Sequence, residues 1–418
     1  MTAKKRGSTL HRHHRTSIRL AALIVAALPV VSFADAPPAQ GSPPQPEQPP
    51  SAAAVLEKAW PDHPQWLAML ADIVVKAPQI SGNDGWFRKG VSETRYGRDA
   101  MFSRWDKDGD HAIARAEFPG SDADFARLDR DHDGKVTSPD FDFTPPPSSS
   151  PTPAALLFGK ADRDGNGKLT RQELDRFFAA LDAEKTGFVT SADLQEAFTA
   201  PPQTLRDRTG GPGSLTRGTF LRSFFRRELG AYQNGPGLNE AAPDFTLKTL
   251  DGSKEVTLSK EIGPRPVVLI FGNVTCGPFR GQAGNLEKLY RRYKDRATFL
   301  MVYVREAHPT DGWRMVSNDR AGVALPQPTT YGQRVEAAQL CNQAMAMGVP
   351  MLVDTIDDAV NTRYSGIPSR FYIIDRDGKV AFKSGRGPFG FKPAEMEQAL
   401  IYHLNQGGEP TSPVVRQP

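Results

Sequence analysis

Two cysteines, Cys276 and Cys341, are all that this chain of 418 residues contains. That is too few for a disulfide-built scaffold, so they either pair with each other or leave a free reactive thiol. Beyond Ala34 no segment is apolar enough to cross a bilayer, which takes about 20 apolar residues. No lysine- or arginine-rich run follows the N-terminus either. The whole chain carries +4, yet Lys4, Lys5, Arg6, Arg12, Arg15 and Arg19 place +6 in residues 1–34 without an acid, so the remainder carries −2. That balance gives no footing for nucleic acid. The length accommodates two or three domains.

The basic N-terminus continues into an apolar run from Leu20 to Ala34, with the small residues Ser32 and Ala34 framing a cleavage point. This is the pattern of a signal peptide. It predicts an exported protein, periplasmic or extracellular, with no membrane span after removal, or a membrane-anchored one if the segment is retained. Residues 35–52 are a proline-rich spacer, predicted to be disordered. Residues 53–93 form a short helical region, with Leu56, Trp60, Trp66, Leu67, Leu70 and Ile73 as its apolar positions over Ala53–Ala77. Residues 94–200 hold acidic loops, 201–240 a glycine- and arginine-rich connector, 241–405 a second domain and 406–418 a tail predicted to be disordered. Within the connector, TFLRSFFRREL (219–229) predicts a helix.

The acidic region repeats one twelve-residue pattern, in DKDGDHAIARAE (106–117), DRDHDGKVTSPD (129–140), DRDGNGKLTRQE (162–173) and DAEKTGFVTSAD (182–193). Ca²⁺ takes six to eight oxygens around a tight turn, supplied from positions 1, 3, 5, 7 and 12, with a glycine at position 6. The candidate ligands are Asp106, Asp108, Asp110 and Glu117 with the backbone of Ala112; Asp129, Asp131, Asp133 and Asp140 with that of Lys135; and Asp162, Asp164, Asn166 and Glu173 with that of Lys168. The loops resemble EF-hands. Loop three is complete. Loop two ends in the shorter Asp140. Loop one has His111 in the glycine position, which predicts a strained turn. Loop four, with Glu184 and Thr186, reads as a structural partner. Phe125 and Leu128 before loop two, and Phe177, Phe178 and Leu181 before loop four, are the expected packed helix faces.

From Ala241 the texture becomes alternating strands and helices. PVVLIFGNV (266–274) and ATFLMVYV (297–304) are continuous apolar strands, PMLVD and SRFYIID–KVAF supply another strand and a hairpin, and AEMEQALIYHL (394–404) a last helix. Continuous apolar strands imply a sheet covered on both faces. Cys276 follows the first of them, and Pro278 suits the opening turn of the next helix. A thiol at a helix N-terminus is poised to ionise. Thioredoxin-like folds build a nucleophile this way; here Phe279 stands where their second cysteine would be. Such folds also place a cis-proline against that cysteine, and Ile367-Pro368 precedes the strand SRFYIID. An inert buried cysteine is the other reading.

The resemblance extends further. LIFGNVTCGPF, VYVREAHPTDGW, RVEAAQL, VDTIDDAVNTRY, IPSRFYII and GPFGF occur in the order of the iodothyronine deiodinase family, covering about residues 241–405. It implies an α/β thioredoxin-like C-terminal domain with catalytic residues Cys276, Glu306 and His308; the all-α EF-hand region before it lies outside this resemblance and rests on its own loops. Cys276 takes the place of the family's selenocysteine. Val274 replaces a cysteine of many members, and LPQPTTYGQ brings no histidine after the E-A-H segment. Thr275, Trp313, Pro368 and Arg370 are the supporting candidates. Trp313 either stacks on a substrate ring or packs its segment onto the core, and Arg370 either meets an anionic group or is a surface charge. His308 supplies a proton or is bonded within its loop.

Two functions follow from these residues. One is a calcium-binding thiol oxidoreductase whose Cys276 thiolate attacks a small-molecule electrophile: an aryl halide, a peroxide or a disulfide. It is then reset by Cys341 or an external thiol reductant, with no organic cofactor. The other is a calcium-dependent binding or scaffold protein with an idle thioredoxin-like domain.

Overall fold

The computed structural model describes residues 64–76, 86–143, 152–183, 185–198 and 216–406. The signal segment, the spacer, residues 53–63, most of the connector before 216 and the tail after 406 lie outside the described residues. In chain order, α1 (Pro64–Lys76) and α2 (Trp86–Lys89) come first. Leu67, Leu70 and Ile73 all fall on the buried side of α1, as their helical spacing predicts, and pack with Trp86, Phe87, Phe220, Phe224 and Trp313.

A short edge strand, β1 (Arg95–Tyr96), leads to α3 (Arg98–Trp105), loop one, α4 (Asp122–Leu128) and loop two. The two loops are joined by β2 (Ile113–Ala114) and β3 (Lys135–Val136), antiparallel with Ile113 opposite Val136. These are the apolar eighth positions of the repeat, and both are fully buried. Met101, Trp105, Phe125 and Leu128 share one core with the sheet residues Ile270, Phe371 and Phe382, so this helix–loop–helix pair is built onto the sheet.

The second pair differs. It comprises α5 (Pro153–Ala161), loop three, α6 (Arg171–Leu181), loop four and α7 (Ser191–Phe198). Phe177 and Leu181 are half-buried, while Phe178 and Phe188 are 44% and 61% exposed, contrary to the packed faces expected there. Among its described apolar side chains Ala161 alone is buried, because no facing apolar layer covers the others. After α8 (Arg217–Phe225), which fulfils the helix expected near 219, the chain enters the sheet.

The sheet strands are β4 (Thr246–Thr249), β5 (Glu255–Thr257), β6 (Val267–Gly272), β7 (Thr298–Tyr303), β8 (Met351–Val353), β9 (Arg370–Ile374) and β10 (Val380–Lys383), interleaved with α9 (Leu258–Glu261), α10 (Gly277–Arg280), α11 (Ala283–Tyr293), α12 (Val316–Arg320), α13 (Tyr331–Met345), α14 (Ala359–Tyr364) and α15 (Pro393–Leu404). Their order is β1-β10-β9-β6-β7-β8-β4-β5. β6, β7 and β8 run parallel, and the β9–β10 hairpin joins β6 antiparallel. Alternation along β6 sends Val268 and Ile270 to one core, and Val267, Leu269 and Phe271 to the other. Each such side chain contributes about 1.5–3 kcal/mol on burial, which is why these strands read as unbroken apolar runs. A parallel centre, an antiparallel hairpin, a cis Ile367–Pro368 bond before that hairpin and a helix after β6 make the fold thioredoxin-like. No described helix is long and apolar enough to cross a membrane.

Candidate active site and the acidic loops

Cys276 sits just past the carboxyl end of β6, on a turn held by Asn273. The Asn273 side-chain oxygen accepts from the Cys276 N–H at 3.0 Å, the Thr275 hydroxyl at 3.0 Å and the Ala307 N–H at 3.2 Å. Its amide donates to the carbonyl of the cis-proline Pro368 at 3.0 Å. One asparagine thus ties the cysteine turn, the E-A-H segment and the cis-proline together. Gly272 is required here, since a Cβ would lie 2.3 Å from the Phe279 ring.

The helix that begins at Cys276 is a single turn ending at Gly281, and α11 starts separately at Ala283. The extended macrodipole expected behind the thiol is therefore replaced by local donors. Cys276 is 1% exposed. Burial pushes its thiol up to about 11, opposed by the Phe279 N–H, the Arg280 guanidinium and the Ser369 hydroxyl, and reinforced by Glu306.

Glu306 is wholly buried. One carboxyl oxygen accepts from the Thr275 hydroxyl at 2.7 Å and the Thr275 N–H at 3.1 Å, and the other from the Tyr303 hydroxyl. Burial raises its pKa against these three donors, so it is held toward the form that can give a proton. Gln327 clamps its backbone, accepting from the Glu306 N–H at 2.9 Å and donating to its carbonyl at 3.0 Å. Gln327 belongs to the LPQPTTYGQ segment, where the sequence showed only the lack of a histidine.

The His308 N–H donates to the Thr275 hydroxyl at 3.0 Å, and its Nδ1 lies 3.0 Å from the Trp313 carbonyl. A carbonyl only accepts, so Nδ1 carries the hydrogen and Nε2 is the bare nitrogen. Burial pushes this ring down to about 4. At neutral pH it is an uncharged imidazole bonded within its loop, not the imidazolium expected to deliver a proton. Of the pair, Glu306 alone is shifted toward its protonated form.

Trp313 is buried, stacked on Phe87 with centroids 5.8 Å apart and edge-on to Phe220 at 5.4 Å. It packs its segment onto the helical cap, which leaves no ring face for a substrate. Arg370 is neither exposed nor aimed at solvent: it is 1% exposed, donates to the Asn234 carbonyl at 3.1 Å and lies 3.8 Å from Glu93. Cys341 is buried in α13, its sulfur 3.2 Å from that of Met345, and both cysteines are free. Sequence reasoning missed Asn273, Arg280, Ser369 and Gln327 as site residues, because their roles depend on partners distant in the chain.

The acidic loops share one backbone path. Positions 4 and 6 are left-handed in each: Gly109 and His111, His132 and Gly134, Gly165 and Gly167, Lys185 and Gly187. His111 has φ 65°, the strained turn expected of a residue standing for glycine. Three carboxylate groups converge, Asp106–Asp108–Glu117, Asp129–Asp131–Asp140 and Asp162–Asp164–Glu173, each offering oxygens within 4.8 Å of one another. Among the described residues loop four has no such group; Glu184 lies outside them.

Loop three is docked on the thioredoxin-like domain. Lys168 donates to the carbonyls of Met345 and Ala346 at 2.8 and 3.0 Å, and Asn166 to that of Ala344 at 3.3 Å. A Cβ on Gly167 would sit 2.1 Å from the Gly281 carbonyl oxygen, and one on Gly284 would sit 2.4 Å from that of Gly167. The loop therefore touches the end of the Cys276 helical turn and the end of the Cys341 helix.

Residues 218–403 match the sequence model of the iodothyronine deiodinase family. The chain is 36% identical over 176 residues to thyroxine 5-deiodinase of Gallus gallus, covering 42% of this chain and 66% of that one. Against thyroxine 5-deiodinase of Aquarana catesbeiana the identity is 38%, covering 39% of this chain and 59% of that one. The match thus spans less than two thirds of these relatives' length. Among solved structures, similarity is found to a secreted Mycobacterium tuberculosis disulfide oxidoreductase (TM-score 0.28, 18% identity, 37% of this chain and 93% of that one) and to the thioredoxin domain of a Bacteroides vulgatus thiol-disulfide oxidoreductase (TM-score 0.25, 20% identity, 36% and 90%). The sheet topology and the cis-proline make the C-terminal region a thioredoxin fold, and over residues 218–403 it is similar to the iodothyronine deiodinase family.

Proposed function

We propose that this protein is an exported, calcium-binding thiol oxidoreductase that removes halogen from a small aromatic substrate. Supporting this reading above all, Thr275, the residue before Cys276, donates its hydroxyl to the buried Glu306 carboxyl, whose pKa burial raises. In the proposed reaction the Cys276 thiolate takes the halogen from the ring carbon, forming an S–X bond, and that carbon receives a proton derived from Glu306. An external thiol then attacks the sulfenyl halide, expelling halide and leaving a mixed disulfide, which a second thiol or Cys341 resolves. Two thiols are oxidised for each aryl halide reduced. Disulfide or peroxide substrates would use the same nucleophile without the ring proton.

The three carboxylate groups fit Ca²⁺, whose preference is for hard oxygen donors on a flexible loop. Asp106, Asp108, Asp110 and Glu117, then Asp129, Asp131, Asp133 and Asp140, then Asp162, Asp164, Asn166 and Glu173 would hold it. The ion's contribution is structural, neutralising carboxylates that otherwise repel.

The deciding experiment incubates the calcium-loaded chain with a halogenated phenol and dithiothreitol and follows halide release. Release that disappears in Cys276→Ala supports the reading; no release from any halophenol, with calcium bound, overturns it. The near-complete burial of Cys276 favours the second reading, a calcium-dependent scaffold with an idle thiol. That reading predicts unchanged partner binding in Cys276→Ala.

A further inference from the structure

Around Cys276 the structure leaves two buried donors without conventional partners. Arg280 is 3% exposed and within the core. One guanidinium nitrogen donates to the Val274 carbonyl, another to the Asn318 side-chain oxygen at 3.0 Å, and its Nε has no partner. Among the described residues it makes no ion pair with a carboxylate. A buried guanidinium without a counter-charge is costly, so such groups are ordinarily paired. Ser369, fully buried beside the cis-proline, likewise has a hydroxyl without a hydrogen-bond partner among the described residues.

Both act on the Cys276 thiol, favouring its charged form against the cost of burial. Arg280 closes the helical turn that begins at Cys276, its N–H donating to the Cys276 carbonyl at 3.0 Å, and its Nη2 lies 3.8 Å from where a Gly277 Cβ would stand. Ser369 follows the cis-proline whose carbonyl accepts from the Asn273 amide, on the loop leading into β9. Asn318 completes the brace by donating to the Thr275 carbonyl at 2.8 Å. The other titratable groups facing Cys276 are Glu306 and Tyr303 at the end of β7, His308 beyond them and Cys341 on α13. Glu306 opposes an anion here, Tyr303 and His308 are uncharged at neutral pH, and Asp164 of loop three draws on the same cation. Arg280 is therefore the cation available to a negative sulfur.

We propose that Arg280 and Ser369 form an anion cradle for the Cys276 thiolate, positioning residues that hold the charge left when the thiol releases its proton to solvent. The cradle rests on the reading of Cys276 as a nucleophile, but it is tested without turnover. The full-length chain with Cys341→Ser, calcium-loaded and labelled at the cysteine Cβ with ¹³C, carries a single reporter whose chemical shift follows ionisation independently of probe access. Arg280→Gln should shift the Cys276 midpoint upward by about one pH unit, a tenfold loss of thiolate at any pH below it. Arg280→Lys, which keeps the charge, should stay within about 0.3 unit. Ser369→Ala, whose hydroxyl anchors nothing else, should rise by about half a unit.

An unmoved midpoint in folded Arg280→Gln overturns the proposal. If that variant does not fold, an unmoved Ser369→Ala or a large shift in Arg280→Lys does so instead. Halide release plays no part in any of these outcomes, so failure of the dehalogenation reading remains a separate result.

Discussion

At the scale of single residues, the site is a balance between burial and a few donors on Cys276. Burial pushes the folded thiol up to about 11, whereas an unfolded one ionises at about 8.5. Between those values the folded state holds the extra proton, so stability falls as pH rises through that window. Relative to Cys276→Ala, the wild-type chain should lose about 3 kcal/mol between pH 8 and 11, measured by urea unfolding at each pH; an unchanged difference would mean the thiol is not buried in solution. His308 supplies a second check. With its ring pushed down to about 4, activity should show no inflection between pH 5 and 8 from this residue, and a limb there that vanishes in His308→Gln would contradict the neutral imidazole. Glu306→Gln, which keeps the shape but removes the acid, should lower halide release by about 10²-fold or more, with little change in substrate affinity. Cys276, Glu306 and Pro368 were legible in the sequence because a strand end, a family string and an Ile-Pro pair are local signals. Arg280 and Ser369 were not. Nothing local distinguishes an arginine folded back toward its own turn from one reaching into solvent.

At the scale of elements, the strands from β6 to β10 were readable as continuous apolar runs and an alternating hairpin, since both faces of a sheet leave a mark on sequence. The short β1 was not: two residues, Arg95 and Tyr96, pair with Lys383 and Phe382 from the far end of the chain, and nothing local anticipates that. The four loops were readable from spacing, but the docking of loop three was not, because it relies on glycines whose partners are other glycines. Loop three carries an element-scale prediction. If Ca²⁺ holds this loop in its docked form, chelation should increase hydrogen exchange in residues 277–286 and 341–347 as well as in 162–173. Exchange confined to 162–173 would show the loop to be mechanically separate. Lys168→Ala, which removes the bonds to Met345 and Ala346, should reproduce part of that change with calcium present.

At the scale of the molecule, the helical cap of α1, α2 and α8 closes over the E-A-H segment through Trp313, with Phe87 and Phe220 as its neighbours. Cys276 is 1% exposed, so a reagent reaches it only through an opening of the fold, and loosening of this cap is the opening that Trp313→Ala probes. Trp313→Ala deletes a buried aromatic, a class of change that costs about 3–5 kcal/mol; it should lower the melting temperature while accelerating Cys276 alkylation by a small reagent. Slower alkylation in a folded Trp313→Ala chain would place the route to the thiol elsewhere. At Gly167 and Gly284 the acidic loop and the start of α11 meet main chain to main chain, with room for hydrogen atoms only. Such a contact has no side chain to tune. Its spacing cannot be adjusted by small substitutions, so a single methyl group on either glycine would push loop three off the start of α11 while the Lys168 bonds to Met345 and Ala346 still held its other side.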